Sequence, residues 1–299
     1  MANTLTSKVP VMEKKDSKAR EQALARRATL TFLFRRLDLI LSVLVVGLLI
    51  VVSIYPSLFT SNDPLKANPA LSLHAPDSSH WFGTDQLGRD LFSRVIYGAH
   101  ISLGAAAFAV LLSFAIGVLL GVIAGVSQGW LDAVIMRIFD AVLAIPSLLM
   151  VFAILTILGN GVTNIALAIG IASSVSFGRV MRAEVISVRS STFVEAATAL
   201  GVKPLGVVVR HIIPNSITPL ISLAALEFGV AMLTIGSMGY LGFGAQPPNA
   251  EWGALIADGQ KFLRNAWWLG VLPGIVFVTV VLAVNRISRV IGQGRSTNA

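Results

Sequence analysis

Six stretches of this chain carry no Asp, Glu, Lys or Arg: residues 39 to 55, 101 to 131, 141 to 178, 212 to 226, 228 to 250 and 266 to 285. An α-helix rises 1.5 Å per residue, so about 20 consecutive apolar residues cross the roughly 30 Å hydrocarbon core of a bilayer. Only 13% of the 299 residues are charged, against about 25% in a soluble domain. These runs exclude a disordered, fibrous or ordinary soluble chain, and they point to a multi-span membrane protein.

The longest run contains Gly159-Asn160-Gly161, a strong turn signal, and divides there into two spans. The fourth and fifth runs are separated only by Glu227 and read as one span. Six transmembrane helices are predicted, at about 37–56, 100–126, 133–158, 162–180, 214–240 and 268–289. A cleavable signal peptide is the competing reading of the first, but the polar segment 1–36 precedes it and no small-residue cleavage site follows. An even number of spans puts both termini on one side. Eighteen of the 23 Lys and Arg residues fall on that side, nine of them within 1–36, so both termini are expected in the cytoplasm. The predicted organisation is a basic cytoplasmic segment (1–36), a first span with an extracytoplasmic loop (37–99), a five-span core (100–289) with a cytosolic loop at 181–213, and a cytoplasmic tail (290–299).

The net charge of +8 would suggest nucleic acid on a soluble chain. Sorted by side, the excess sets topology and lies next to anionic lipid headgroups instead, so lipid is an expected partner and nucleic acid is not. Cysteine is absent and the four histidines are scattered without metal-ligand spacing, so no metal site and no catalytic residue is expected. No phosphate-binding GxxxxGK[ST] loop is present, and if ATP drives this protein another chain must bind it. An intramembrane enzyme has no paired carboxylates, HExxH or Ser/Lys arrangement to support it.

Ionisable groups inside spans cost roughly 2.5 to 3.5 kcal/mol near the bilayer centre, so each needs a reason. Asp140 follows Arg137 by three residues and is expected to pair with it on one helix face. Pro146 removes a backbone donor and is expected to kink or loosen the third span. Glu227 sits near the middle of the fifth span with no obvious partner. It reads equally well as a polar lining of a translocation path and as a buried hydrogen bond to a partner subunit. Gly117, Gly121 and Gly125 recur every four residues and form a face that lets another helix approach closely. His100, Trp267 and Trp268 read as interfacial anchors or satisfied polar groups.

The predicted cytosolic loop runs MRAEVISVRSSTFVEAATALGVKPLGVVVRHIIPNSITPL from Met181. Its pattern is a short amphipathic helix, a turn at Gly201, and a second short helix running into Pro214. Periodicity alone allows a surface helical hairpin with no partner. The string EAATALG, followed nine residues later by His211-Ile212-Ile213-Pro214, resembles the EAA loop of the membrane permeases of ABC importers, with His211 and Ile213 departing from the usual I-x-L-P. Two further segments are similar to the C-type subunit of the dipeptide, oligopeptide and nickel permeases: HWFGTDQLGRDLFSR at 80–94, and GYLGFGAQPPNAEWGALIADG with AWWLGVLPG near the end. The resemblance covers about 37–285. Neither the basic extension nor the tail NRISRVIGQGRSTNA follows the family pattern.

The resemblance implies a type I ABC importer permease in the bacterial cytoplasmic membrane, pairing with a homologous B-type permease, two cytosolic ATPases and an extracytoplasmic solute-binding protein. ATP and Mg would sit on the ATPases, and this chain would bind no cofactor. Glu195, Ala196, Ala197, Gly201 and Pro214 would form the ATPase dock, with the small side chains permitting close approach. The substrate class implied is dipeptides or oligopeptides, with nickel or another small solute as the alternative. Gly83, Asp85, Gly88, Arg89 and Asp90 read as a self-paired, glycine-punctuated turn on the outer face, the alternative being contact with the binding protein. The DAVLAIPSLL context of Asp140 and Pro146 also resembles the family. A secondary transporter driven by an ion gradient is the rival class; it predicts functional membrane charges and an inverted repeat, and only Asp140 and Glu227 support it.

Overall fold

A computed structural model describes residues 38–293; the basic segment 1–36 and the tail beyond Gln293 lie outside the described residues. Helices account for the architecture. They are α1 (Asp38–Ile54), α2 (Leu91–Ser127), α3 (Trp130–Leu143), α4 (Ser147–Leu158), α5 (Val162–Arg189), α6 (Thr192–Ala199), α7 (Pro204–Val207), α8 (Ile213–Ser216), α9 (Thr218–Tyr240), α10 (Trp252–Gln260) and α11 (Trp268–Gln293). A π-helical turn over Val208–Ile212 joins α7 to α8. Extended pairing among the described residues is limited to an isolated bridge between Thr84 and Asp90.

Four helices, α2, α5, α9 and α11, are each long and apolar enough to cross a membrane, and α3 with α4 makes a fifth crossing if the bent pair is one span. α1 is a shorter apolar helix. The expected continuous span over 133–158 is therefore corrected. It breaks between Leu143 and Ser147 with a bend of 97°, more than a kink. Pro146 disfavours helical backbone at the residue before it and supplies no N–H, yet its carbonyl accepts from Met150 N (3.0 Å) and so opens α4. Two other boundaries also move. α2 begins at Leu91 rather than near 100, because the Asp90 carboxylate caps it by accepting from Ser93 N at 2.8 Å. α5 runs on to Arg189, which shortens the expected 181–213 loop.

The core is built on the α2–α5 seam. Little hydrophobic force drives helices together in lipid, so van der Waals contact between close backbones must hold them, and the glycine face of α2 supplies it. A Cβ on Gly117 would lie 2.5 Å from the Ser174 carbonyl oxygen, and one on Gly121 2.6 Å from that of Gly178. Phe177 and Met181 are fully buried along this seam. Phe139 of α3 sits against Gly178 from the other side.

The two ends of α2 separate the connecting segments. Near Leu91, Trp252 Nε1 donates to the Val95 carbonyl (2.9 Å) and Trp268 Nε1 to that of Thr84 (3.4 Å). Near Ser127, Arg189 Nη1 donates to the Val126 carbonyl (2.8 Å). Residues 55–90 and 241–267 thus gather at the Leu91 end, and 190–217 at the Ser127 end. Both tryptophans are buried; Trp268 is thus a satisfied polar group, one of the two readings given for it, and Trp267 is exposed.

Candidate functional site

At the Ser127 end, α6 starts where Ser191 accepts from Glu195 N (3.2 Å) and stops two turns later at Gly201. The stop is a Schellman motif: Gly201 N donates to the Thr198 carbonyl (3.0 Å) and Val202 N to that of Ala197 (3.2 Å). Gly201 has φ +81°, a conformation other residues adopt only with strain, and open space surrounds it. Pro204 then opens α7, since a first-turn proline loses no helical hydrogen bond. The chain continues in helical form through Pro214 in α8 instead of ending there.

Val194 and Ala197 are buried and hold α6 to the bundle, whereas Glu195 and Ala196 face outward. Ala197 lies on the inner face of α6. Flanking the Gly201 turn, Leu200 is 85% exposed, Leu205 75% and Val209 55%. This is a convex tip of apolar side chains at the polar end of a membrane bundle. Behind it lies a cavity of about 500 Å³ bordered by Val126, Arg189, Glu195 and Thr198.

Beside the tip, ion pairs join α5 to α3. Arg182 of α5 forks onto Asp132 in the first turn of α3, Nε to Oδ1 at 2.5 Å and Nη2 to Oδ2 at 2.6 Å. One turn back, Arg179 bonds Asp140, which corrects the expected Arg137–Asp140 pair. Reversing one charge, in Asp132→Arg or Arg182→Asp, is expected to lower the thermal midpoint by a few degrees, and the double reversal to recover most of it. The coupling energy expected in that double-mutant cycle is about 1 kcal/mol for a partly exposed bidentate pair.

Within the bundle, Glu227 of α9 lies within hydrogen-bonding reach of Ser173 and Ser176 of α5. It is half-buried and does have partners, both inside this chain.

At the Leu91 end, Asp85 accepts from Leu87 N (2.8 Å), Arg89 N (3.0 Å) and Arg89 Nε (2.7 Å), with Arg94 Nε 3.5 Å away. Asp90 pairs instead with His80 Nδ1 (2.9 Å) while it caps α2. Gly83 and Gly88 have positive φ and admit the His74 and Asn68 carbonyls, respectively, where a Cβ would stand. Asp85, Arg89 and Asp90 are buried, with their charges paired inside the loop.

Sequence reasoning passed over Glu251. It is fully buried, and its oxygens accept from Gly253 N (2.7 Å) and Ala254 N (3.0 Å) at the start of α10. Burial pushes its carboxyl up from 4.5 to about 7, against the opposing pull of those two N–H groups. Its position directly before Trp252 in a turn-rich segment was the available signal, an N-cap pattern with a carboxylate in place of a hydroxyl.

Residues 117–296 match the family model of the binding-protein-dependent transport system inner membrane component. The chain belongs to that family. The permease is 42% identical over 248 residues to the dipeptide transport system permease protein DppC of Alkalihalophilus pseudofirmus, covering 83% of this chain and 82% of that one. It is 38% identical over 244 residues to the probable D,D-dipeptide transport system permease protein DdpC of Escherichia coli K12, covering 82% of each. Its fold is similar to a chain in the crystal structure of an amino acid ABC transporter with histidines, with a TM-score of 0.53 at 18% identity over 68% of the permease and 94% of that chain. The permease is thus an all-helical membrane component of an ABC import system.

Proposed function

We propose that the permease is the C-type membrane subunit of an ABC importer for peptides, with six spans, cytoplasmic termini and the Ser127 end facing the cytosol. α1 and the bent α3–α4 pair supply the two crossings beyond the four long helices. Its partners are a homologous B-type permease, two cytosolic ATPases that bind ATP and Mg, and an extracytoplasmic binding protein. The setting is the bacterial inner membrane, and the chain does no covalent chemistry of its own.

The observation that carries this reading is the apolar tip of Leu200, Leu205 and Val209 around the Gly201 turn, exposed to water yet tied to the ends of α5 and α9. An exposed apolar patch of this kind marks an interaction site, and Glu195 and Ala196 flank it. Force applied there by closing ATPases reaches α5 and α9 directly, and the Glu227–Ser173–Ser176 group lies between these two helices. Glu227 is assigned to the polar lining that opens and closes as they shift. The peptide substrate class rests on the named relatives.

The test is reconstitution of all the subunits in proteoliposomes. Gly201→Asp leaves the permease inserted and assembled, since no neighbour crowds the added side chain and Asp tolerates the left-handed backbone at a cost of about 1 kcal/mol, but lowers substrate-stimulated ATP hydrolysis at least tenfold. Normal stimulation in that variant, or uptake driven by an ion gradient through this chain alone, would overturn the proposal. Competition of labelled dipeptide uptake by a nickel chelate instead of by other peptides would move the substrate assignment to nickel.

A further inference from the structure

Three hollows meet around one turn of α2, and no side chain fills them. The first, about 470 Å³, lies between α1 and the faces of α2, α9 and α11, with walls that include Leu49, Leu103, Phe228 and Val280. The second, about 310 Å³, lies on the other flank of α2 against the start of α5, bordered by Ile101, Phe108, Val162 and Ala166. Gly104 borders both. A Cβ there would meet nothing within 4 Å, in contrast to Gly117, Gly121 and Gly125 on the same helix. Close helix packing does not explain this glycine.

The third hollow, about 700 Å³, opens toward the Leu91 end. It shares Ser53 and Ile54 with the first and His100 and Ile101 with the second. A polar chamber above two apolar channels has the shape of a two-chain amphiphile. The first channel follows α1 from Val46 to Ile54, roughly 12 Å of helix and close to the depth of one leaflet.

The polar chamber also has a sign. Asp63 is the charged side chain among the described residues that line it. His100 Nδ1 lies 2.9 Å from the Ser53 carbonyl, which can only accept, so Nδ1 donates and ties the chamber wall on α2 to the end of α1. The Asp63 carboxylate suits a primary ammonium and disfavours a purely anionic headgroup.

We propose that the three hollows form one binding site for an outer-leaflet phospholipid with a primary ammonium headgroup, of the phosphatidylethanolamine type. Its ammonium lies by Asp63 and His100, and its two chains straddle α2 at Gly104. The site adds to the contacts that already hold α1 to the bundle, the buried Val52 and the Arg286–Asp38 ion pair. This inference rests on the outward orientation of the Leu91 end given under Proposed function.

The experiment is native mass spectrometry of the assembled transporter released from membranes containing phosphatidylethanolamine and phosphatidylglycerol, with ATP-driven uptake assayed separately so that failure of the importer reading is distinguishable. The wild type retains phosphatidylethanolamine in preference to phosphatidylglycerol. Gly104→Phe, whose ring enters open space, assembles but retains at least tenfold less lipid, and Asp63→Lys reverses the headgroup preference. Equal retention by the wild type and Gly104→Phe, an unchanged preference in Asp63→Lys, or displacement of the lipid by excess dipeptide would overturn the proposal. So would cross-linking of a photoreactive residue at Leu103 to the partner permease alone, which would put a partner helix in the groove.

Discussion

Gly121→Ala is expected to lower the thermal midpoint of the purified permease by about 5 °C or more, whereas Gly104→Ala on the same helix leaves it unchanged or raises it slightly. The added Cβ at 121 would stand 2.6 Å from the Gly178 carbonyl oxygen and 2.6 Å from Met181 Cβ. Both neighbours are backbone or directly attached to it, so no rotamer change relieves the clash and α2 and α5 must separate along the seam. Overpacking of this kind costs about 1 to 3 kcal/mol, and each kcal/mol moves the midpoint of a chain of comparable size by about 2 to 4 °C. At Gly104 the space is open, so the helix propensity of alanine, better by up to about 1 kcal/mol, acts unopposed. The measurement is thermal unfolding of both variants in the same detergent. Equal midpoints would refute the claim that direct backbone contact holds the seam.

Raising pH from 5 to 8 is expected to destabilise the Leu91 end of the permease, and Glu251→Gln to remove most of that dependence. The carboxyl titrates at about 7 in the folded chain against 4.5 when free. Its contribution is fully present below 4.5 and is lost as pH rises through 7. Above 7 the folded state carries a buried anion, at a penalty of about 3 kcal/mol relative to the protonated form. Gly253 N and Ala254 N donate to different oxygens of Glu251; glutamine carries no charge but keeps only one acceptor, so the variant is expected to be about 1 kcal/mol less stable than the wild type near pH 5 and more stable than it at pH 8. Glu251→Ala removes the cap as well and is expected to lose about 1 kcal/mol at every pH. Denaturation curves across this range decide the matter; parallel pH slopes for the wild type and Glu251→Gln would show that Glu251 does not ionise in the window.

Much of the Gly201 tip was legible in the chain. Gly201 as a turn, a short helix on either side of it and the outward Glu195 follow from local rules, because a Schellman stop and a first-turn proline depend only on residues within one or two turns. That Ala197 is buried while Ala196 beside it is exposed was not legible, because a helix of eight residues has too little periodicity to settle which side the bundle covers. Asp140 was given to Arg137 by spacing and belongs to Arg179, 39 positions away. Glu251 and Trp252 drew no reading from the sequence, although Trp252 is buried against α2 and Glu251 against α9.

The sequence by itself determined that the chain lives in a membrane, where its apolar runs lie and which family it resembles, since desolvation cost and motif spacing are local properties. Only the tertiary structure decided that the third run breaks by 97°, which acids meet which bases, and which glycines are packed against backbone and which face empty space. Those outcomes depend on what lies opposite each residue, and in a bundle held by close contact the opposite helix is distant in the chain.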